Sequence, residues 1–146
     1  MQLTLYTDYS LRVLIYLAAH SNQNCTVSDI AQYYNISHNH LVKVVHNLSK
    51  NNLLSTSRGK GGGLRLSRPA EEIHLKEVIE LTEPNFHLVE CFNSEGRMCS
   101  VEPVCKLKGI LYTAIDRFFE HLDQYTIADL IAKEDTIDFV DPPVKQ

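Results

Sequence analysis

The chain has 146 residues and carries 14 Lys and Arg against 18 Asp and Glu, a formal net charge of -4 with His neutral. At 44% hydrophobic and 22% charged residues it matches a globular chain of one domain, or one small domain with an appended element, and excludes global disorder or a collagen-like composition. The longest apolar run, Val13 to Ala19, falls far short of the roughly 20 residues a membrane span needs, and the N-terminus lacks a secretory signal, so no membrane association and a cytoplasmic location are expected.

Taken whole, the acidic balance argues against a nonspecific nucleic-acid coat, because phosphate binding relies on Lys and Arg. Divided at residue 70, the charge separates. Residues 1–70 hold seven basic and two acidic residues, net +5, and the remainder holds seven basic and sixteen acidic, net -9. The two parts face different partners.

In chain order, Leu11, Leu14, Ile15 and Ala18 fall at helical spacing, predicting an amphipathic helix over roughly 7–20 capped by Thr7 or Asp8. Ser28 precedes a short periodic segment that stops near Asn35, and Ser37 offers a second cap before HNHLVKVVHNLSKNN. Two helices joined by a tight turn follow. In the second, Leu41, Val44, Val45 and Leu48 share one face, leaving His40, Lys43, Asn47 and Lys50 on the other. Residues 53–57 and 64–68 read as short strands around the glycine-rich RGKGGG, a hairpin or wing. Residues 73–82 form another helix, stopped by Pro84. After an aperiodic stretch, Leu107, Leu111, Ala114, Phe118, Leu122 and Tyr125 recur at steps of three and four, predicting a long helix that needs a partner helix. Thr126 caps a last short helix, and the acidic tail with Pro142 and Pro143 reads as mobile.

Two constellations carry chemistry. In a helix, turn, helix and wing the second helix presents its N-terminal side chains to base edges in the major groove. The candidate DNA contacts are Ser28, Ser37, His38, Asn39, His40 and Lys43 with the wing residues Arg58, Gly59, Lys60, Gly61 and Gly62. Asn39 suits adenine, Lys43 suits guanine or phosphate, and wing glycines allow close backbone approach. A polar solvated helix face is the alternative, against which the basic first half and the adjacent RGKGGG weigh. GKGGG is not a phosphate loop, since no Ser or Thr follows Lys60.

The second constellation is Cys91, Cys99 and Cys105, spaced C-x7-C-x5-C, with Cys25 far away and read as a small core residue. Three local thiols leave one unpaired in any disulfide, and structural zinc favours closer pairs and four protein ligands. The wide spacing suits an iron-sulfur cluster, with zinc and inert or redox-active thiols as alternatives. His87, Glu90 and Asp8 are candidate fourth ligands, although for Asp8 the residues alone favour a helix cap or an i,i+4 pair with Arg12. No nucleophile and base pair, metal-binding helix motif or nucleotide fingerprint supports an enzyme.

Together, MQLTLYTDYSLRVLIYLA, NHLVKVVHNLS, RGKGGGLRLSRPA, the cysteine triad followed by KLKGIL, and LDQYTIADL resemble the winged-helix iron-sulfur transcription regulators over nearly the whole chain to about residue 132. The likeness is strongest to the family's nitric-oxide-sensitive repressors. It implies a mainly α fold, a winged helix-turn-helix DNA-binding domain with a long C-terminal dimerisation helix. The implied divisions are a DNA-binding domain at 1–83, a cysteine-rich loop at 84–106, a dimerisation helix and short helix at 107–132, and a mobile tail at 133–146. The resemblance further implies a 2Fe-2S or 4Fe-4S cluster held by Cys91, Cys99 and Cys105 with Asp8 from the partner subunit. It implies a homodimer on an inverted-repeat DNA operator, with nitric oxide as the signal. Lys108 stands where the cluster-assembly regulators of the family place a ligating histidine, which favours the nitric-oxide branch over theirs. A repressor switched by cysteine oxidation without a cluster is the other alternative.

Overall fold

The computed structural model describes residues 2–57, 59, 62–93 and 99–131. Helix α1 spans Leu5–Ala19, two residues earlier than the apolar spacing indicates, because the Thr4 side chain accepts the Thr7 N–H as its N-cap. Thr7 and Asp8 therefore lie inside the helix and cap nothing. Helix α2, Val27–Tyr34, also starts before Ser28. Thr26 and Asp29 form a reciprocal capping box there, for which Ser28 lacks the carboxylate three residues on. Asn35, with φ 53°, reverses the chain between α2 and helix α3, His38–Lys50. Ser37 occupies the N-cap position of α3 but makes no side-chain capping bond.

The predicted inner face of α3 is the observed one: Leu41, Val44, Val45 and Leu48 are all buried, in one core with Val13, Leu14 and Leu17 of α1 and Ile30 of α2. Asn52, with φ 58°, turns the chain so that the Leu53 N–H reaches the Leu48 carbonyl, and strand β1, Leu54–Thr56, begins. It pairs antiparallel with β2, Leu64–Leu66, in the register Ser55 opposite Arg65. Cys25 adds a bridge to Leu64 and is buried, as expected of a small core residue. Burial pushes its thiol above the ordinary range, with the Asp29 carboxylate adding to the effect, which keeps the sulfur protonated.

That bridge explains Gly63. A Cβ there would lie 2.9 Å from the Cys25 carbonyl oxygen, which already accepts the Leu64 N–H at 2.7 Å. Gly63→Ala is expected to destabilise the wing attachment by about 1–3 kcal/mol, the usual range for overpacking a close contact. Urea unfolding measures it, and an unchanged midpoint would refute the close-packing account.

Helix α4, Leu75–Thr82, packs on α1, and helix α5 runs from Lys106 to Leu122. Beyond α5 the chain returns to the first half of the molecule. The Ile127 N–H bonds the Ile73 carbonyl at 2.9 Å, and the Ile127 side chain is fully buried in the same core as α1 and α3. Only a single 3-10 turn, Ala128–Leu130, forms where a short helix is expected; the Thr126 N–H and hydroxyl bond Asp129 at its start. No helix among the described residues is long and apolar enough to cross a membrane. The tail at 133–146 lies outside the described residues.

Candidate functional site

The N-terminal half of α3 is open. Ser37, His38, Asn39, His40 and Lys43 are all exposed, in the same turns whose inner side buries Leu41 and Val44. Ser28 is exposed in the first turn of α2. On the wing, Gly59 is exposed with φ 100° and Gly62 is half-buried, its N–H on the Gly59 carbonyl. Arg58, Lys60 and Gly61 lie outside the described residues. The tertiary structure adds Arg65 of β2, exposed and donating to the Asn24 side chain at 2.8 Å.

Two contacts that local spacing does not reveal connect α1 to α3. The Tyr6 hydroxyl donates to the Lys43 carbonyl at 3.4 Å, and the Tyr9 and His40 rings stack at 6.4 Å. Between these tyrosines stands Asp8. Its carboxylate takes both Arg12 donors, Nε at 3.1 Å and a terminal nitrogen at 2.9 Å, and the guanidinium lies 5.6 Å from the Tyr34 ring centre. At 41% exposure on each side chain this is a surface ion pair of small net stability, from which Asp8 can be withdrawn at little cost.

The loop after α4 is pinned along α5 by aromatic pairs. Phe86 meets Phe119 edge to face at 4.7 Å, and Phe92 stacks on Tyr112 at 4.0 Å. Six residues of loop thus descend seven residues of helix, about 10 Å at 1.5 Å per residue. Cys91, beside Phe92, is thereby brought toward the start of α5, where Cys105 is the N-cap residue. Cys99 is exposed in the same connection, and all four cysteines are free thiols. Lys108 forms an ion pair with Glu102; that hydrogen bond holds its ammonium above the ordinary range, so it offers no lone pair to a metal.

The donor chemistry fits an iron-sulfur cluster, with three unpaired thiols on one loop and no fourth ligand at position 108. Within one chain the donors are not drawn together. Among the described residues, no three His, Cys, Asp or Glu side chains are gathered to hold a metal ion.

The opposite side of α5 is apolar and open, with Leu107 57% and Ile110 63% exposed, while Val101 and Val104 extend it onto the loop. Of the predicted seam, Leu107, Ala114 and Tyr125 are exposed and Leu111, Phe118 and Leu122 half-buried; Phe119 is the buried residue of the helix. A second positioning contact comes from Glu83, whose carboxylate accepts the Thr4 N–H at 2.6 Å and the Thr4 hydroxyl at 3.0 Å. It clamps the start of the cysteine loop to the N-cap of the helix bearing Asp8.

Residues 3–133 match the model of the Rrf2 family, described as iron-dependent transcriptional regulators. The chain belongs to the Rrf2 family. An HTH-type transcriptional regulator NsrR of Shouchella clausii is 48% identical over 138 residues, covering 94% of this chain and 93% of that protein. Among solved structures, CymR of B. subtilis, the global cysteine regulator, superposes with a TM-score of 0.72 at 26% identity, covering 89% of this chain and 95% of the other. T. potens IscR superposes at 0.70 with 23% identity over 89% of this chain and 85% of that one, a likeness of fold. This Rrf2 protein is accordingly a winged-helix transcriptional regulator of the DNA-binding, repressor type and not an enzyme.

Proposed function

We propose that this regulator is a cytoplasmic homodimer that represses nitrosative-stress defence genes, carries an iron-sulfur cluster and leaves its operator when nitric oxide reaches the cluster. Cys91, Cys99 and Cys105 of one chain hold the cluster, and Asp8 of the other completes it. The observation that carries this reading is the position of α1. Its first turns hold Asp8, and the flanking Tyr6 and Tyr9 touch Lys43 and His40 on α3. A pull on Asp8 is therefore a pull on the reading helix.

A bound cluster supplies iron with which nitric oxide reacts. The chain's own part is mechanical. Asp8 exchanges Arg12 for a place in the partner's site, Glu83 and Thr4 keep the start of α1 attached to its own loop, and the open apolar face of α5 and Val104 lies against the second subunit. Paired reading helices must match half-sites about 34 Å apart, so a small rotation at this junction misplaces both. Ser37, His38, Asn39, His40 and Lys43 face the major groove, Ser28 the backbone, and Arg58, Gly59, Lys60, Gly61 and Gly62 the adjacent groove. The division into DNA-binding head, cysteine loop and dimerisation helix follows these roles, although Ile127 ties the last segment into the head core.

The decisive experiment is operator binding by anaerobically purified protein, with nitric oxide added while the visible spectrum is followed. Loss of binding in step with the spectral change is expected; retained binding after the cluster has reacted would overturn the sensor reading. In Asp8→Ala, cluster assembly is expected to survive while the nitric oxide response of DNA binding weakens. Wild-type coupling in that variant would exclude the cross-subunit contact.

A second reading, a repressor switched by thiol oxidation alone, draws on the four free cysteines and the exposure of Cys99. Iron and acid-labile sulfide analysis separates the two, because only the first requires both elements. Regulation of cluster assembly is less favoured, given the ammonium at Lys108.

A further inference from the structure

Val42 breaks the pattern of α3. Leu41, Val44, Val45 and Leu48 are buried, whereas Val42 is 45% exposed and stands outside their core. Among the described residues of α2, the turn and α3, it is the large apolar side chain left exposed; the others lie at the start of α1, on the cysteine loop, on α5 or beyond it. At 3.6 residues per turn, Val42 sits about 60° around the helix from Asn39 and about 40° from His46, both of them exposed.

The two edges of α3 face different neighbours. His40 and Lys43 lie on the edge that meets Tyr9 and Tyr6 of α1. On the other edge the Ser49 hydroxyl, two turns along from Val42, donates to the Leu54 carbonyl at 3.2 Å, where β1 begins. Val42 thus occupies the wing side of the outer face, next to Asn39.

Helix formation does not favour valine there, because a β-branched residue is a poorer helix former than Lys, Gln or Glu. What valine offers is a pair of methyl groups held in one preferred rotamer on an otherwise polar face. In the major groove only thymine presents a methyl group, and the other bases present donors and acceptors. Valine gains contact at thymine and leaves polar groups unpaired elsewhere.

We propose that Val42 is a specificity-determining residue that reads the C5-methyl of one thymine in each half-site, beside the base read by Asn39. This rests on the placement of α3 in the major groove. Residues three apart on a helix have Cβ atoms about 5–6 Å from one another, so the two bases fall within about two base pairs.

For the test, anaerobically purified parent chain first selects its preferred duplex from a random-sequence pool. Each thymine is then replaced, in both half-sites together, by deoxyuridine, which pairs alike and lacks only the methyl. Fluorescence anisotropy follows binding by the parent, Val42→Ala and Asn39→Ala. At one thymine per half-site, deoxyuridine is expected to weaken the parent about 15-fold, roughly fourfold for each buried methyl, and Val42→Ala much less. Val42→Ala should also stop selecting thymine at that position while keeping the parent's thermal unfolding midpoint. Deoxyuridine effects equal in the parent and Val42→Ala at every position would overturn the valine contact, as would selected half-sites without thymine. In either case weakened binding by Asn39→Ala would leave α3 in the groove. Parent-like binding by both variants would remove α3 from the groove, and the proposal with it.

Discussion

Cys99→Ser protein purified without oxygen is expected to be colourless and to contain almost no iron or sulfide, and the parent chain is expected to be coloured. The loss should be complete, because a cluster with two thiolates and one distant carboxylate has too few ligands on one loop to hold it. Cys99 is exposed, so the substitution removes no packing and its stability effect falls within about 0.5 kcal/mol. Unfolding therefore does not explain an absent chromophore. Cys25→Ser supplies the opposite control. That thiol is buried against the wing and held protonated, so its replacement should leave the colour and weaken the fold by roughly 1–3 kcal/mol through an underpaired buried hydroxyl. Iron retained by Cys99→Ser at the parent level would remove Cys99 from the ligand set.

Lys43→Ala and Asn39→Ala are expected to damage DNA binding in different ways, and the difference identifies their contacts. A lysine on phosphate contributes to every sequence equally; its loss weakens operator and unrelated DNA together and reduces the salt slope by about one. Asn39 on an adenine edge contributes discrimination, so its loss should cost about 1–3 kcal/mol on the operator, roughly 5- to 150-fold, and little on unrelated DNA. Both side chains are exposed, and thermal unfolding should be unchanged in each variant. Val44, one residue beyond Lys43 and 1% exposed, is the structural contrast, since truncating it opens the core. Fluorescence anisotropy with operator and scrambled duplexes across a salt series measures both effects. Parent-like binding by both variants would remove α3 as the reading helix.

The four-residue inner face of α3 was legible from period alone, because a helix packed on one side must repeat its apolar positions every three or four residues. Cys25 was legible as core for a related reason, lying between polar residues at a sharp connection without a second thiol nearby. The start of α2 was legible in principle. Thr26 has Asp29 three residues later and Ser28 has no such partner, so the reciprocal box distinguishes them. What no local pattern carries is Tyr6 on Lys43, Tyr9 on His40 and Glu83 on Thr4, each joining residues between 31 and 79 positions apart.

The sequence by itself determined the division of charge, a basic first half and an acidic second, together with the helix, turn, helix and wing order and the three thiols on one aperiodic stretch. These are properties of composition and short-range spacing, which covalent order sets directly. Only the tertiary structure decided that Ile127 returns to the core of α1 and α3, that Phe86 and Phe92 pin the loop along α5, and that Asp8 stands beside contacts to α3. Those outcomes depend on which apolar surfaces find one another after the helices exist, a choice made by burial across the whole chain rather than by neighbours along it.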